Sequence, residues 1–177
     1  MQTERLILRP LELNDADTIT DLLQGDDIHK NTLSMPYPYT RTDAENFIQS
    51  TYEERDKGTG YIFGITRRED GVLIGVTGIH PKAPHRRAEL GYWLGKKYWG
   101  QGYMTEVVRR MIQYGFEELD LNRIFARCYT HNVASAKVMQ KAGMSFEGTV
   151  RQEVYHTFSD EYKDCHYYSI LKGEWQA

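Results

Sequence analysis

Cysteine is scarce: Cys128 and Cys165 are the only two in the chain. They build no disulfide framework and stand at no metal-ligand spacing, so a reduced, cytoplasmic setting is expected. Histidine offers no metal site either, because His80, His85 and His131 match no compact zinc motif. No apolar run approaches the ~18 residues of a membrane span. The start, Met1-Gln2-Thr3-Glu4-Arg5-Leu6, lacks the basic-then-apolar order of a signal peptide. Positive charge is not in excess: 22 Lys and Arg face 25 Asp and Glu, for a net charge of −3. A nucleic-acid binder would carry a basic stripe, so that class is set aside. Repeats, low-complexity stretches and linkers are also missing.

What is there is a chain of 177 residues, 40% apolar and 27% charged, the composition expected of one globular domain over residues 1–177. Leu6 to Arg9 reads as a strand ended by Pro10. Asn14 or Asp15 can cap a helix carrying Ala16, Ile19, Leu22 and Leu23. After the loop Met35-Pro36-Tyr37-Pro38-Tyr39, Thr42 or Asp43 opens a second helix from Ala44 to Lys57. Strands are expected at Tyr61–Thr66 and Val72–Ile79, joined by the turn Glu69-Asp70-Gly71, and after a polar break from Pro81 to His85 a third at Arg87–Leu94. The clearest periodicity follows: Met104, Val107, Val108, Met111, Ile112, Gly115, Phe116 and Leu119 keep helical spacing. A strand at Ile124–Tyr129, a short helix at Ala134–Ala142 closed by Gly143, and strands at Phe146–Tyr155 and Tyr162–Leu171 complete an α/β order, β-α-α-β-β-β-α-β-α-β-β.

The sharpest local feature is Lys97-Tyr98-Trp99-Gly100-Gln101-Gly102-Tyr103-Met104, between a strand and the long helix. Glycines one residue apart admit backbone conformations a Cβ forbids. Several N–H groups can then face one concavity, reinforced by the free N–H groups and positive dipole end of the helix. That makes a cradle for a diphosphate, although a plain strand-to-helix turn uses glycines too. The loop is not a Walker A motif or a dinucleotide fingerprint, since neither a Gly-Lys-Ser/Thr nor a third glycine follows.

In context these residues resemble a known family. Arg87-Ala88-Glu89-Leu90-Gly91-Tyr92-Trp93-Leu94, Trp99-Gly100-Gln101-Gly102-Tyr103-Met104-Thr105-Glu106 and Asn132-Val133-Ala134-Ser135-Ala136-Lys137-Val138-Met139-Gln140-Lys141-Ala142-Gly143-Met144 are similar to the cofactor-binding half of the GNAT N-acetyltransferases. Together with Thr3-Glu4-Arg5-Leu6-Ile7-Leu8-Arg9-Pro10, they resemble the branch that acetylates ribosomal-protein N-termini, the RimJ/RimL type. The resemblance implies a mixed, mostly antiparallel sheet of about seven strands with about four helices, its strands splayed at a cleft for acetyl-CoA. It places the pantetheine arm along Leu90, Gly91, Tyr92, Trp93 and Leu94, like an added strand. The diphosphate falls on the loop, implying cofactor contacts from Lys97, Trp99, Gly100, Gln101, Gly102, Tyr103, Met104 and Thr105, with Asn132, Ser135 and Lys137 on the last helix. Two positions depart from the pattern. Lys97 stands where Arg or Gln is usual, a point charge instead of a fork, and Met139 stands where many members carry a tyrosine acid.

Acetyl transfer to an amine requires removal of an ammonium proton, a donor to the carbonyl oxygen and stabilisation of the departing thiolate. Glu89 is the expected base, a backbone N–H near Tyr92 or Trp93 the donor to the carbonyl oxygen, and Ser135 the donor to sulfur, with no acetyl-enzyme on Cys128. The plainer alternatives are that Glu89 neutralises Arg86 or Arg87, that Ser135 or Asn132 caps its helix, and that Tyr92 and Trp93 pack the strand. The resemblance implies a protein α-amine as acceptor and allows a homodimer. A polyamine or aminoglycoside acceptor, or a non-catalytic acyl-CoA sensor, are the competing readings.

Overall fold

A computed structural model describes residues 1–33, 35–157 and 159–176. Among them, seven strands form one sheet, β1 (Leu6–Arg9), β2 (Tyr61–Arg67), β3 (Leu73–Lys82), β4 (Arg87–Leu94), β5 (Arg123–Tyr129), β6 (Ser145–His156) and β7 (Glu161–Leu171), in the order β1-β2-β3-β4-β5-β7-β6. Every neighbouring pair is antiparallel except β4 and β5. Four α-helices accompany it: α1 (Ala16–Leu22), α2 (Arg41–Asp56), α3 (Tyr103–Glu117) and α4 (Val133–Lys141).

The sheet has an apolar layer on each face. On one, Met104, Val107, Val108, Met111, Ile112 and Phe116 of α3 and Met139 of α4 pack on Ile79, Leu90, Ile124 and Ala126. The helical spacing of those α3 positions is what turns all of them to the sheet. On the other, Ala16 and Ile19 of α1 and Ala44 and Ile48 of α2 cover Ile62 and Val76. β4 therefore alternates: Ala88, Leu90 and Leu94 belong to the first layer, with Tyr92 packed against it, whereas Trp93 packs on the second.

Three local expectations are corrected. Asp15 caps no helix through its side chain. It accepts two hydrogen bonds from Arg9, at 2.8 and 2.7 Å, and one from the Glu12 N–H at 2.8 Å, across a short 3-10 turn before α1. The second helix begins at Arg41, because Thr40 takes the Asp43 N–H and Asp43 returns the contact to the Thr40 N–H, a reciprocal box that outcompetes a start at Thr42. Finally, β3 runs through Pro81 to Lys82. Pro81 lies beyond the last β2–β3 pair, Tyr61 with Ile79, so β3 has a neighbour there on one side only and tolerates a missing N–H.

Candidate active site

β4 and β5 pair over only three positions, Arg87 with Arg123, Ala88 with Ile124 and Glu89 with Phe125. Beyond them β4 stays on β3 as far as Leu94, and β5 stays on β7 as far as Tyr129, so the two strands diverge. The antiparallel alternation on the β3 side decides what faces the gap. Gly95 N–H bonds to the Ile74 carbonyl, which places Trp93 and Gly91 on the β3 ladder and turns the N–H and C=O groups of Leu90, Tyr92 and Leu94 toward the splay. The side chains of Leu90 and Leu94 are buried in the core, so these residues offer the gap only backbone.

At the wide end of the splay a 3-10 turn, Lys96–Tyr98, leads to the glycine loop. Gly100 and Gly102 have φ of +74° and +80°, the left-handed region that disfavours a side chain. Among the described residues no hydrogen bond takes up the backbone N–H of Gly100, Gln101, Gly102, Tyr103, Met104 or Thr105. A Cβ built on Gly100 would meet nothing within 4 Å. Unclaimed N–H groups around open space at a helix N-terminus fit a diphosphate. Met104 is buried and contributes only its N–H; Trp99 is half out in solvent with its indole N–H on the Leu94 carbonyl at 2.7 Å. Lys97 lies over the Tyr98 ring and Lys137 is exposed, both free to meet phosphate as point charges.

Sequence reasoning gave Arg5 no part in this loop. Its guanidinium donates to the Gln101 carbonyl at 3.0 Å and to Glu106 at 2.8 Å, its backbone N–H donates to Glu106 at 2.9 Å, and it lies over the Tyr103 ring. Burial pushes the Glu106 carboxyl up, but the hydrogen bonds from Thr3 and Arg5 outweigh it and hold that carboxyl below its ordinary range.

On the α1/α2 face of the splay lies a charged chain. Arg127 of β5 donates to Glu89 at 2.7 Å and to Glu153 of β6 at 3.0 Å, and the Tyr167 hydroxyl donates to Glu153 at 2.6 Å. Burial lowers the Arg127 value, yet its bond to Glu89 and the surrounding charges raise it overall. The cation beside Glu89 is thus Arg127; Arg86 is bound to Asp120 instead. Glu153 was invisible to periodicity because β6 is irregular between Val150 and Val154, with Gln152 at φ +51°. Gly91 shares this face with Glu89, and a Cβ there would meet nothing within 4 Å.

On the opposite face, α4 begins with Asn132, whose side chain accepts the Ser135 N–H at 3.0 Å. Asn132 is therefore the cap and Ser135 is not, and the Ser135 hydroxyl is left to meet the Tyr92 hydroxyl at 2.9 Å. Cys128 is buried, and burial pushes its thiol up to about 11. Among the described residues no cluster of histidine, cysteine and carboxylate side chains could hold a metal ion.

A parallel strand pair that opens into a gap, with a phosphate cradle at its mouth, defines an acyltransferase drawing on a CoA thioester. Residues 5–145 match the model of the acetyltransferase (GNAT) domain, and the chain belongs to that family. The uncharacterized N-acetyltransferase YoaA of Bacillus subtilis (strain 168) is 34% identical over 173 residues, 97% of this chain and 96% of that one. The ribosomal-protein-serine acetyltransferase of Escherichia coli (strain K12) is 25% identical over 144 residues, 80% of this chain and 78% of its own. A crystal structure of a GNAT-family acetyltransferase from Bacillus anthracis superposes with a TM-score of 0.85 at 28% identity, covering 98% of each chain. The protein is an acetyl-CoA-dependent N-acetyltransferase with the mixed, open sheet of its family. None of its helices is long and apolar enough to cross a membrane among the described residues.

Proposed function

We propose that the chain transfers acetyl directly to a single primary amine, the N-terminal α-amine of a protein of ribosomal type. The observation that carries this reading is the charge of the acceptor face: Glu89 and Glu153 share Arg127, so the three groups together bear one net negative charge. That suits one ammonium. A polycation would want more acid, and α2 does not supply it, since Glu45 and Glu53 are paired with Arg41 and Lys57 and Glu54 contacts His80. The relationship to the ribosomal-protein-serine acetyltransferase supports a protein N-terminus as the acceptor.

Acetyl-CoA supplies a thioester whose acetyl carbon accepts the amine lone pair and whose sulfur leaves with the carbon–sulfur electron pair. The splay edge of Leu90, Tyr92 and Leu94 holds the pantetheine arm as an added strand would, the loop from Lys97 to Thr105 holds the diphosphate, and the amide NH2 of Asn132, whose oxygen caps α4, and the side chain of Lys137 flank them. Glu89 and Glu153 take the amine proton between them and return it to solvent. The Tyr92 N–H, turned into the gap, meets the charge that develops on the carbonyl oxygen. Ser135 donates a hydrogen bond to the departing sulfur, which later takes a proton from water. Cys128, buried and protonated, forms no acetyl-enzyme. A homodimer finds support in β6, an edge strand that leaves Phe146, Val150 and Tyr155 exposed.

The test is CoA release, followed with a thiol-reactive dye, on a panel of Ala- and Ser-starting peptides, lysine peptides, polyamines and aminoglycosides. Release with the peptides bearing free α-amines, abolished by N-terminal blocking, is expected. Release with polyamines or aminoglycosides alone would replace this acceptor, and tight acetyl-CoA binding without release to any acceptor would favour a sensor.

A further inference from the structure

Ser135 comes from the first turn of α4, after β5, and Tyr92 comes from β4. Backbone pairing between β4 and β5 has ended at Glu89, three residues before Tyr92 on its strand. The contact of the two hydroxyls, at 2.9 Å, therefore ties together the two sides of the gap where the strands themselves no longer touch. Resting on the Ser135 role given above, we propose that Tyr92 is a positioning residue for acetyl transfer, which occupies one lone pair of the Ser135 hydroxyl so that the serine's own proton is free for the leaving sulfur.

A serine hydroxyl has one proton, two lone pairs and free rotation, and left alone in a helix it turns its proton back to the carbonyl one turn earlier. A phenol also has one proton. Two acceptors are within reach of Tyr92, the Ser135 hydroxyl at 2.9 Å and the Ser135 carbonyl at 3.4 Å, and the shorter contact wins. In the proposed arrangement the phenol is the donor in this contact, its one proton having the serine oxygen as its nearer acceptor. Burial raises its ionisation well above the ordinary tyrosine value, so that proton is present throughout the neutral range. Nor can α4 supply this function itself, because Met139 is fully buried in the core and its thioether donates nothing. Cys128 is the remaining neighbour, and its hydrogen bond with Ser135 works against the rise that burial imposes on the thiol. A thiol is a weak donor and acceptor and does not displace the phenol.

The test compares wild type, Tyr92→Phe, Ser135→Ala and the double variant, each checked for folding by thermal unfolding. Tyr92→Phe keeps the ring and its packing. It should lower kcat on the order of tenfold, the scale on which small misplacements are felt, with KM for acetyl-CoA within about twofold. The double variant should be no slower than Ser135→Ala alone, because the phenol acts only through the serine. A second readout needs no turnover: calorimetry of CoA against desulfo-CoA, which lacks the sulfur. Wild type should prefer CoA, and Tyr92→Phe and Ser135→Ala should lose that preference alike. If Tyr92→Phe does not fold, Tyr92→His, which keeps a ring donor, takes its place and should fall between wild type and Ser135→Ala in both readouts. A Tyr92 variant with wild-type kcat and an intact preference for CoA, beside an impaired Ser135→Ala, would overturn the proposal and leave Ser135 in place. An unimpaired Ser135→Ala would remove the serine role and the proposal with it.

Discussion

At the scale of single residues the acceptor face turns on two carboxylates and one guanidinium. Arg127 bonds Glu89 at 2.7 Å and Glu153 at 3.0 Å, whereas Tyr167 reinforces only Glu153, at 2.6 Å. On the proposed reading the two carboxylates share the base work. Glu89→Gln and Glu153→Gln should each lower kcat/KM by roughly 10²-fold or more, the usual loss for one positioned base. Neither should alter the Kd of CoA measured by calorimetry, because the proposed cofactor edge is the backbone of β4. Initial rates across pH 6–9 check this, and a variant with the wild-type profile loses its assignment as base. Glu89 stood out in the sequence because it precedes the segment that resembles a cofactor strand. Its partner was not, because Arg127 stands 38 residues away and meets it only through the parallel pairing of β4 and β5. Glu153 was hidden for a different reason: the irregular stretch of β6, pinned by the Gln152 N–H on Asp164 at 2.8 Å, breaks the alternation by which a strand residue is assigned a face.

At the scale of elements the phosphate loop depends on a residue that lies far from it in sequence. Arg5, just before β1, neutralises Glu106 in the first turn of α3 and anchors the Gln101 carbonyl. Without the Arg5 guanidinium, the Glu106 carboxylate keeps only the Thr3 and backbone N–H hydrogen bonds, and its charge stands without a cation beside the proposed diphosphate cradle. Arg5→Ala should raise KM for acetyl-CoA about tenfold or more, in line with ~1.5–3 kcal/mol for a hydrogen bond to a charged group, while kcat at saturation changes little. Adding Glu106→Gln to Arg5→Ala should recover part of the loss, because it removes the stranded charge. Initial-rate kinetics with acetyl-CoA varied at fixed acceptor decide it, and a double variant worse than Arg5→Ala would show that charge is not the cause. The loop and the helix were readable from Gly-x-Gly before a period of 3.6. Their brace was not, since a lone arginine before a strand carries no local signal. The same limit explains the helix starts: Thr40 and Asp43 form a box that depends on backbone geometry, so the sequence pattern located the start only to within two or three positions.

At the scale of the whole molecule one question is what keeps the far end of the sheet attached. Element order was legible throughout, because each strand is bounded by turn residues and α3 has a long apolar stripe. Strand neighbours and register were not, because pairing partners such as Arg123 and Leu171 are distant in the chain. β6 is the edge, and its backbone ladder is with β7 alone. Arg123 of β5 reaches across β7, donating to Ser169 at 2.7 Å and pairing with Glu147 of β6, so one guanidinium ties three strands. The Arg123 hydrogen bonds hold the Glu147 carboxyl down at about 2, below its ordinary 4.5. A carboxyl whose folded value is depressed stabilises the protein fully above its unfolded value and loses that contribution as pH falls through the folded one. The window for Glu147 therefore runs from about pH 4.5 down to about pH 2. Its side chain is 38% exposed, so screening by solvent keeps the effect modest. Thermal unfolding of wild type and Glu147→Gln between pH 6 and pH 2.5 should show wild type more stable at the upper end, with the two curves converging as the acid side is approached. The convergence follows because the variant has no carboxylate to lose. Curves that stay parallel over that range would mean that the edge of the sheet is held by its backbone ladder and not by the Arg123 pair.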